Sequence, residues 1–209
     1  MSPGYRIFSG MAKLTRQEMS DAVSGLGWRF VLGQVRATVP VHTLAQGAEV
    51  ATWIASGDVT IDLRATEVLL ATRDVELAAQ ITKTLREHGF DTVPGPVQAL
   101  ELAIDAIDID AIRPFWKAAL AYNDDDDGAL SDPSGQGPAV WFQQMEVPRP
   151  QRNRIHFDIS VPHDVARARI DAALAAGGTL VSDKAAPAFW VLSDVEGNEI
   201  CVCTWQGRD

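Results

Sequence analysis

An alternation of apolar and polar residues that occurs twice, each time ahead of a helical pattern, most constrains this chain. Leu100-Glu101-Leu102-Ala103-Ile104-Asp105 has a period of two and leads into a helix over about Asp110 to Tyr122. Fifty-five residues on, Ile155-His156-Phe157-Asp158-Ile159-Ser160 repeats the pattern and leads into a helix from Asp164 to Ala176, stopped by Gly177 and Gly178. Further strands follow each helix: Ala139 to Met145 in the first copy, Phe189 to Leu192 and Ile200 to Trp205 in the second. Two βαβββ units in tandem are the simplest reading of residues 98 to 209. Pro114 must then sit in the first turn of its helix or bend it.

The first half has a different grammar. Thr15 followed by Glu18 reads as a capping box, with Met19, Ala22, Val23 and Leu26 at helical spacing and Gly25 and Gly27 as the stop. Trp28, Phe30 and Leu32 alternate, then Val35, Ala37 and Val39, with Gly33-Gln34 between them as a hairpin turn. A second helix carries Leu44, Ala48, Ala51 and Ala55 and ends at Gly57. Thr66 to Thr72 is a strand, and Asp74 caps a third helix that ends at Gly89. Pro94-Gly95-Pro96 is the best linker. The chain therefore divides into residues 1–95 and 98–209, both of α+β class.

A formal net charge of -10 disfavours phosphate backbones and anionic lipid, so neither nucleic acid nor a membrane surface is an expected partner. The two cysteines, Cys201 and Cys203, stand one residue apart on a strand, where they are poorly placed to bridge each other; this argues for a reducing compartment. Met1 to Met11 has no apolar run of the kind a secretion signal needs, and no stretch approaches a membrane span. The expectation is a cytoplasmic protein whose partner is a small molecule.

Strand alternation sorts the second half into two faces. Leu100, Leu102, Ile104, Ile155, Phe157, Ile159, Ile200 and Val202 should pack under helices. Glu101, Asp105, His156, Asp158, Ser160, Glu199, Cys201 and Cys203 share the other face, which Trp141, Gln143 and Trp190 join if their strands are in register. Such a face is either solvated or curled around a polar pocket; thiols and aromatics suit open surface poorly, which favours the pocket. The acidic run Asp124 to Asp127 reads as a solvated loop, because the spacing and closing Glu of an EF-hand are missing.

Ala111-Ile112-Arg113-Pro114-Phe115-Trp116, Asn153-Arg154-Ile155-His156-Phe157-Asp158 and Asp194-Val195-Glu196-Gly197-Asn198-Glu199-Ile200-Cys201-Val202 carry a resemblance. In that order and spacing, residues 98–209 resemble the vicinal oxygen chelate superfamily of glyoxalase I, extradiol dioxygenases and bleomycin-resistance proteins, and within it the small glyoxalase-like branch. The resemblance implies a pocket in which a divalent metal (zinc, nickel, manganese or iron) is held from the first and last strands of each unit. Those places fall on Glu101, Trp141, His156 and Cys201. Trp141 cannot ligate, and Cys201 stands where a carboxylate is usual, so the set is mixed and a metal-free pocket is slightly preferred. The resemblance makes His156 a ligand or general base and Glu101 a ligand or acid–base partner. Asp158 or Glu199 would orient the substrate, and Trp141, Gln143 and Trp190 would bind it. The activity implied is of lyase, isomerase or dioxygenase type, with a non-catalytic binding or sequestration protein as the alternative.

The strand Glu67-Val68-Leu69-Leu70-Ala71-Thr72, the helix after it and the aromatic first hairpin make residues 10–92 resemble pterin-4a-carbinolamine dehydratase, an α/β sandwich. That family's activity rests on a His-His-Pro run and a later His. Here Ala55, Ser56 and Gly57 fall on the run and Arg73 on the later His, so dehydratase chemistry is disfavoured. His42 and His88 read as surface or cap residues. The module is left as a dimerising or docking surface, which makes a homodimer an expectation.

Overall fold

The computed structural model describes residues 14–55, 57–95, 97–125, 128–148 and 156–207. Ser56, Pro96, Asp126, Asp127, Asn153, Arg154, Ile155 and the N-terminal stretch Met1 to Met11 lie outside the described residues, and so do the expectations that rest on them. The described residues up to Ala99 form one compact unit and those from Leu100 onward another.

The first unit runs α1 (Arg16–Ser24), β1 (Arg29–Val31), β2 (Gln34–Pro40), α2 (Leu44–Ile54), β3 (Val59–Leu63), β4 (Glu67–Thr72) and α3 (Val75–Glu87). Thr15 and Glu18 form the capping box of α1, and Asp74 accepts from the Leu77 N–H at the start of α3. The strands form one antiparallel sheet in the order β1-β2-β4-β3. Strand β3 is additional to the expected elements, although Val59, Ile61 and Leu63 alternate within it. Val35, Ala37, Val39, Val68 and Leu70 turn to the helices and bury with Val23, Val50, Ile54, Ile81 and Leu85. Fully buried Trp28 donates its indole N–H to Thr82, whose hydroxyl also meets that of Thr92. Gly27, at φ +85°, is obligatory, because a Cβ there would lie 2.0 Å from the Thr92 carbonyl oxygen.

The second unit is two copies of one pattern. Its first copy is β5 (Glu101–Ala106), α4 (Ile109–Leu120), β6 (Asn123–Asp124), β7 (Leu130–Ser131) and β8 (Ala139–Gln144). Its second is β9 (Phe157–Ser160), α5 (Ala166–Ala175), β10 (Thr179–Ser182), β11 (Phe189–Ser193) and β12 (Glu199–Cys203). Each copy makes a four-stranded sheet, β5-β8-β7-β6 and β9-β12-β11-β10, in which first and last strands pair parallel and the rest antiparallel. One core joins them: Ile104, Ile112, Phe115, Trp116 and Val140 pack with Ile170, Leu192, Ile200 and Val202. Gly178 belongs to this joint, since a Cβ there would lie 2.4 Å from the Phe115 ring.

Several local expectations need correction. Strands β6, β7 and β10 are additional. Leu100 precedes β5 and is 67% exposed, not under the helices, because the strand begins one residue later. Pro114 lies five residues beyond Ile109, in the second turn of α4 rather than the first, so the Asp110 carbonyl lacks its usual helical donor. Asp164 precedes α5, whose N-cap position is Val165 with no side-chain cap.

Candidate functional site

The parallel pairing of β9 with β12 builds the densest group of reactive side chains. Asp158 lies opposite Cys201, and Ser160 opposite Cys203. His156 precedes β9 by one residue and shares the Asp158 face, two positions away. Its Nε2 is 3.5 Å from Asp158 Oδ1, both side chains being well exposed. His156, Asp158 and Cys201 each present a potential ligand atom, all within 4.8 Å of one another.

The thiol is the buried member, 6% exposed. Burial, then its hydrogen bond to the Asp158 carboxylate and the nearby charges of Asp158 and Glu199, push the Cys201 thiol up to about 12. It is protonated at neutral pH, so it is no nucleophile in this state. Cys203, 2% exposed, points its sulfur at the Cys201 carbonyl oxygen at 3.9 Å.

The other predicted residues lie outside this three-residue group. On the β5–β8 sheet, Glu101 pairs with Ala139, Ala103 with Trp141 and Asp105 with Gln143, so Glu101, Asp105, Trp141 and Gln143 share one face. Glu101 is exposed and outside the three-residue group. Glu199 is half-buried at the start of β12, opposite Ser193. Trp190 is a correction: it pairs with Val202 and packs against the hydrophobic core, so its ring faces away from the thiols. Phe189 and Val191 instead stand opposite Cys203 and Cys201.

The segment Asp194 to Asn198 carried part of the resemblance, and its first residue is structural. Asp194, 2% exposed, accepts from Trp116 Nε1 at 2.9 Å, from the Glu196 and Asn198 backbone N–H groups, and from the Asn198 amide. Glu196 in turn accepts from the Ile107 and Asp108 backbone N–H groups at the entrance to α4. In the acidic run, Asp124 pairs with Arg113 and Lys117, which ties the loop to α4.

Among the described residues two grooves stand out, and neither is lined by His156 or Cys201. One, of about 450 Å³, lies in the first unit between Pro40, His42, Gln46, His88 and Phe90. His88 there stacks on Trp53 with ring centroids 4.0 Å apart. Sequence reasoning treated His42 and His88 singly and missed that the fold brings them to one groove; only the packing of α2 against α3 reveals it. The other, of about 580 Å³, runs between α4 and α5 along Pro114, Lys117, Ala118, Arg169 and Ala172.

The repeated βαβββ topology with its reactive β9–β12 face invites comparison with known proteins. Residues 101–203 match the family model of the glyoxalase-like domain. Over these residues the chain is similar to the glyoxalase-like domain. Among solved structures, a hypothetical protein of S. aureus is similar at 13% identity and a TM-score of 0.42, covering 53% of this chain and 95% of that one. A glyoxalase/bleomycin resistance protein/dioxygenase family enzyme of Burkholderia phytofirmans is similar at 16% identity and a TM-score of 0.41, covering 50% of this chain and 95% of that one. A fosfomycin resistance protein of Mesorhizobium loti is similar at 8% identity and a TM-score of 0.39, covering 50% and 88%. No curated protein matches the sequence. Among the described residues no helix is long and apolar enough to cross a membrane.

The donor chemistry of the β9–β12 group is compatible with a divalent ion. Imidazole, carboxylate and thiolate are all ligands of zinc. The 3.5 Å between His156 Nε2 and Asp158 Oδ1 matches the spacing of about 3.3–3.6 Å between neighbouring ligand atoms of a tetrahedral site.

Proposed function

We propose that this protein binds a small organic molecule on the outward face of its glyoxalase-like half, over His156, Asp158 and Cys201. The observation that carries the reading is the gathering of three different reactive groups, from two adjacent parallel strands, on the side of the sheet away from the core. Structural requirements alone seldom place an imidazole, a carboxylate and a thiol together. Trp141 and Gln143 offer an aromatic plate and an amide on the companion sheet, with Glu101 on the same face, and we assign them to ligand contact.

In this reading His156 is the acid–base group at the ligand, and Asp158 orients it. Glu199 flanks the thiol and shapes the charge around it. If a divalent ion is bound, His156, Asp158 and Cys201 would hold it, and it would polarise a ligand oxygen as a Lewis acid. A protonated Cys201 gives no support to covalent thiol chemistry in the metal-free protein. The reaction type, whether lyase, isomerase, dioxygenase or binding without turnover, follows from the ligand.

The test is calorimetric titration of the full chain with bleomycin, a catechol and the glutathione hemithioacetal of methylglyoxal. Binding of one probe that weakens at least tenfold in both His156→Ala and Trp141→Ala supports the proposal. Binding indifferent to both changes, or binding lost only in His88→Ala, contradicts it.

For the N-terminal unit we propose a degenerate, dehydratase-like domain that serves as a dimerisation surface. The observation favouring this is the position of β3 at the end of its sheet, with Leu63 38% exposed. Sedimentation of the full chain should give a dimer that Thr60→Lys dissociates; a monomer at micromolar concentration contradicts the reading.

A further inference from the structure

We infer that the groove between α4 and α5 binds an amphipathic carboxylate, a molecule with an apolar tail and one anionic head. The site is separate from the β9–β12 face, since none of the residues lining the groove belongs to those strands.

The two helices meet through their buried faces, where Ile112, Phe115 and Trp116 of α4 join Ile170 and Ala173 of α5 in one core. Above that seam their outer faces leave a trough of about 580 Å³. Its apolar walls are Pro114, Ala118 and Ala121 on one side and Val165, Ala168 and Ala172 on the other. These side chains carry no polar atom, and their small size keeps the trough open. Each wall extends over two helical turns, so the apolar floor is about 11 Å long, the reach of a medium-length alkyl chain. A protein partner seated on two turns of helix falls short of the ~800 Å² per side that a stable interface buries.

Charge selects the head group. Arg169, half-buried in the wall of the trough, donates from Nη1 to the Ala119 carbonyl at 3.2 Å and has no carboxylate partner among the described residues. Burial pushes its guanidinium below the usual range, with no neighbouring carboxylate to offset the shift. A ligand carboxylate accepting from Nε and Nη2 relieves that cost through the planar fork that arginine presents to such anions. The bond to Ala119 holds the guanidinium in place beforehand, which lowers the entropy lost on binding. Lys117 also lines the trough and shares the Asp124 carboxylate with Arg113, two cations to one anion. This edge of an acidic chain therefore carries positive charge in excess. A neutral alcohol would fill the trough and leave the guanidinium unmatched, whereas phosphate would match the guanidinium and leave the trough empty.

The experiment is calorimetric titration of the full chain with decanoate below its micelle concentration, beside decanol and inorganic phosphate. Decanoate should bind at one equivalent, with decanol and phosphate each at least tenfold weaker. Arg169→Gln should weaken decanoate at least tenfold. That change also removes the contact to Ala119, so Ala172→Glu, at an exposed position, is the decisive variant, with a loss of at least tenfold expected. His156→Ala should bind decanoate as the unaltered chain does. Absence of decanoate binding, equal binding of decanol, undiminished binding by Ala172→Glu, or loss in His156→Ala would overturn the inference. So would a dimer in sedimentation that Ala172→Glu dissociates, because a second copy would then be the occupant.

Discussion

Asp158 and Cys201 face each other across the β9–β12 pair, and the carboxylate accepts the thiol hydrogen. Burial first and this contact second keep the sulfur protonated and give the site its resting state. Because the folded thiol titrates at about 12 against an ordinary value of 9.0, folded and unfolded chains hold the same proton below about pH 8. Above 9 the unfolded thiol ionises and the folded one does not, so stability falls as pH rises from about 9 toward 12. Urea denaturation should show this alkaline loss, reduced in Cys201→Ser by up to about 1.4 kcal/mol per pH unit. Alkylation gives a second check: native protein at pH 7.5 should resist iodoacetamide at both cysteines, and denatured protein should not.

The bond from Trp116 to Asp194 ties α4 to the β11–β12 turn. Asp194→Ala would strand a buried indole N–H and two backbone N–H groups that now share one carboxylate. The expected cost is about 2–4 kcal/mol, seen as a lower denaturation midpoint with little change in slope. Val195→Ala, at an exposed neighbouring residue, should be near neutral.

Asp132 organises the loop that leads into β8. Its carboxylate accepts from the Ser134 hydroxyl and from the Ser134, Gln136 and Gly137 backbone N–H groups, which lower it to about 2 from an ordinary 3.8. A lowered carboxylate stabilises the fold above its unfolded pKa and loses that contribution as pH falls through the folded one. Asp132→Asn should therefore cost about 1–2 kcal/mol at pH 7, with solvent screening allowed for. The gap to the unaltered chain should narrow between about pH 4 and pH 2.

How much of this was legible in the sequence depended on whether side chains alternate. Strands β5 and β9 announce themselves because Leu102, Ile104, Phe157 and Ile159 are spaced by two among polar residues. Phe189-Trp190-Val191-Leu192 is apolar throughout, so its sequence carries no phase; pairing with β12 turned Trp190 to the core and Val191 to the thiols. Strands β6 and β7, at two residues each, are below any periodic signal, and β10 carries a bulge between Leu180 and Ser182. The partnership of Asp158 with Cys201 joins strands 43 residues apart through parallel register, which neither spacing nor composition encodes. Glu101 fails to join them for the same reason: its place is set by pairing with β8.

The most direct test of the account is a crystal of the full chain grown with the probe that binds most tightly in the calorimetric titration. The account predicts ligand density on the β9–β12 face, over His156, Asp158 and Cys201. Density in the His42–His88 groove of the first unit, or none on the β9–β12 face, would contradict it.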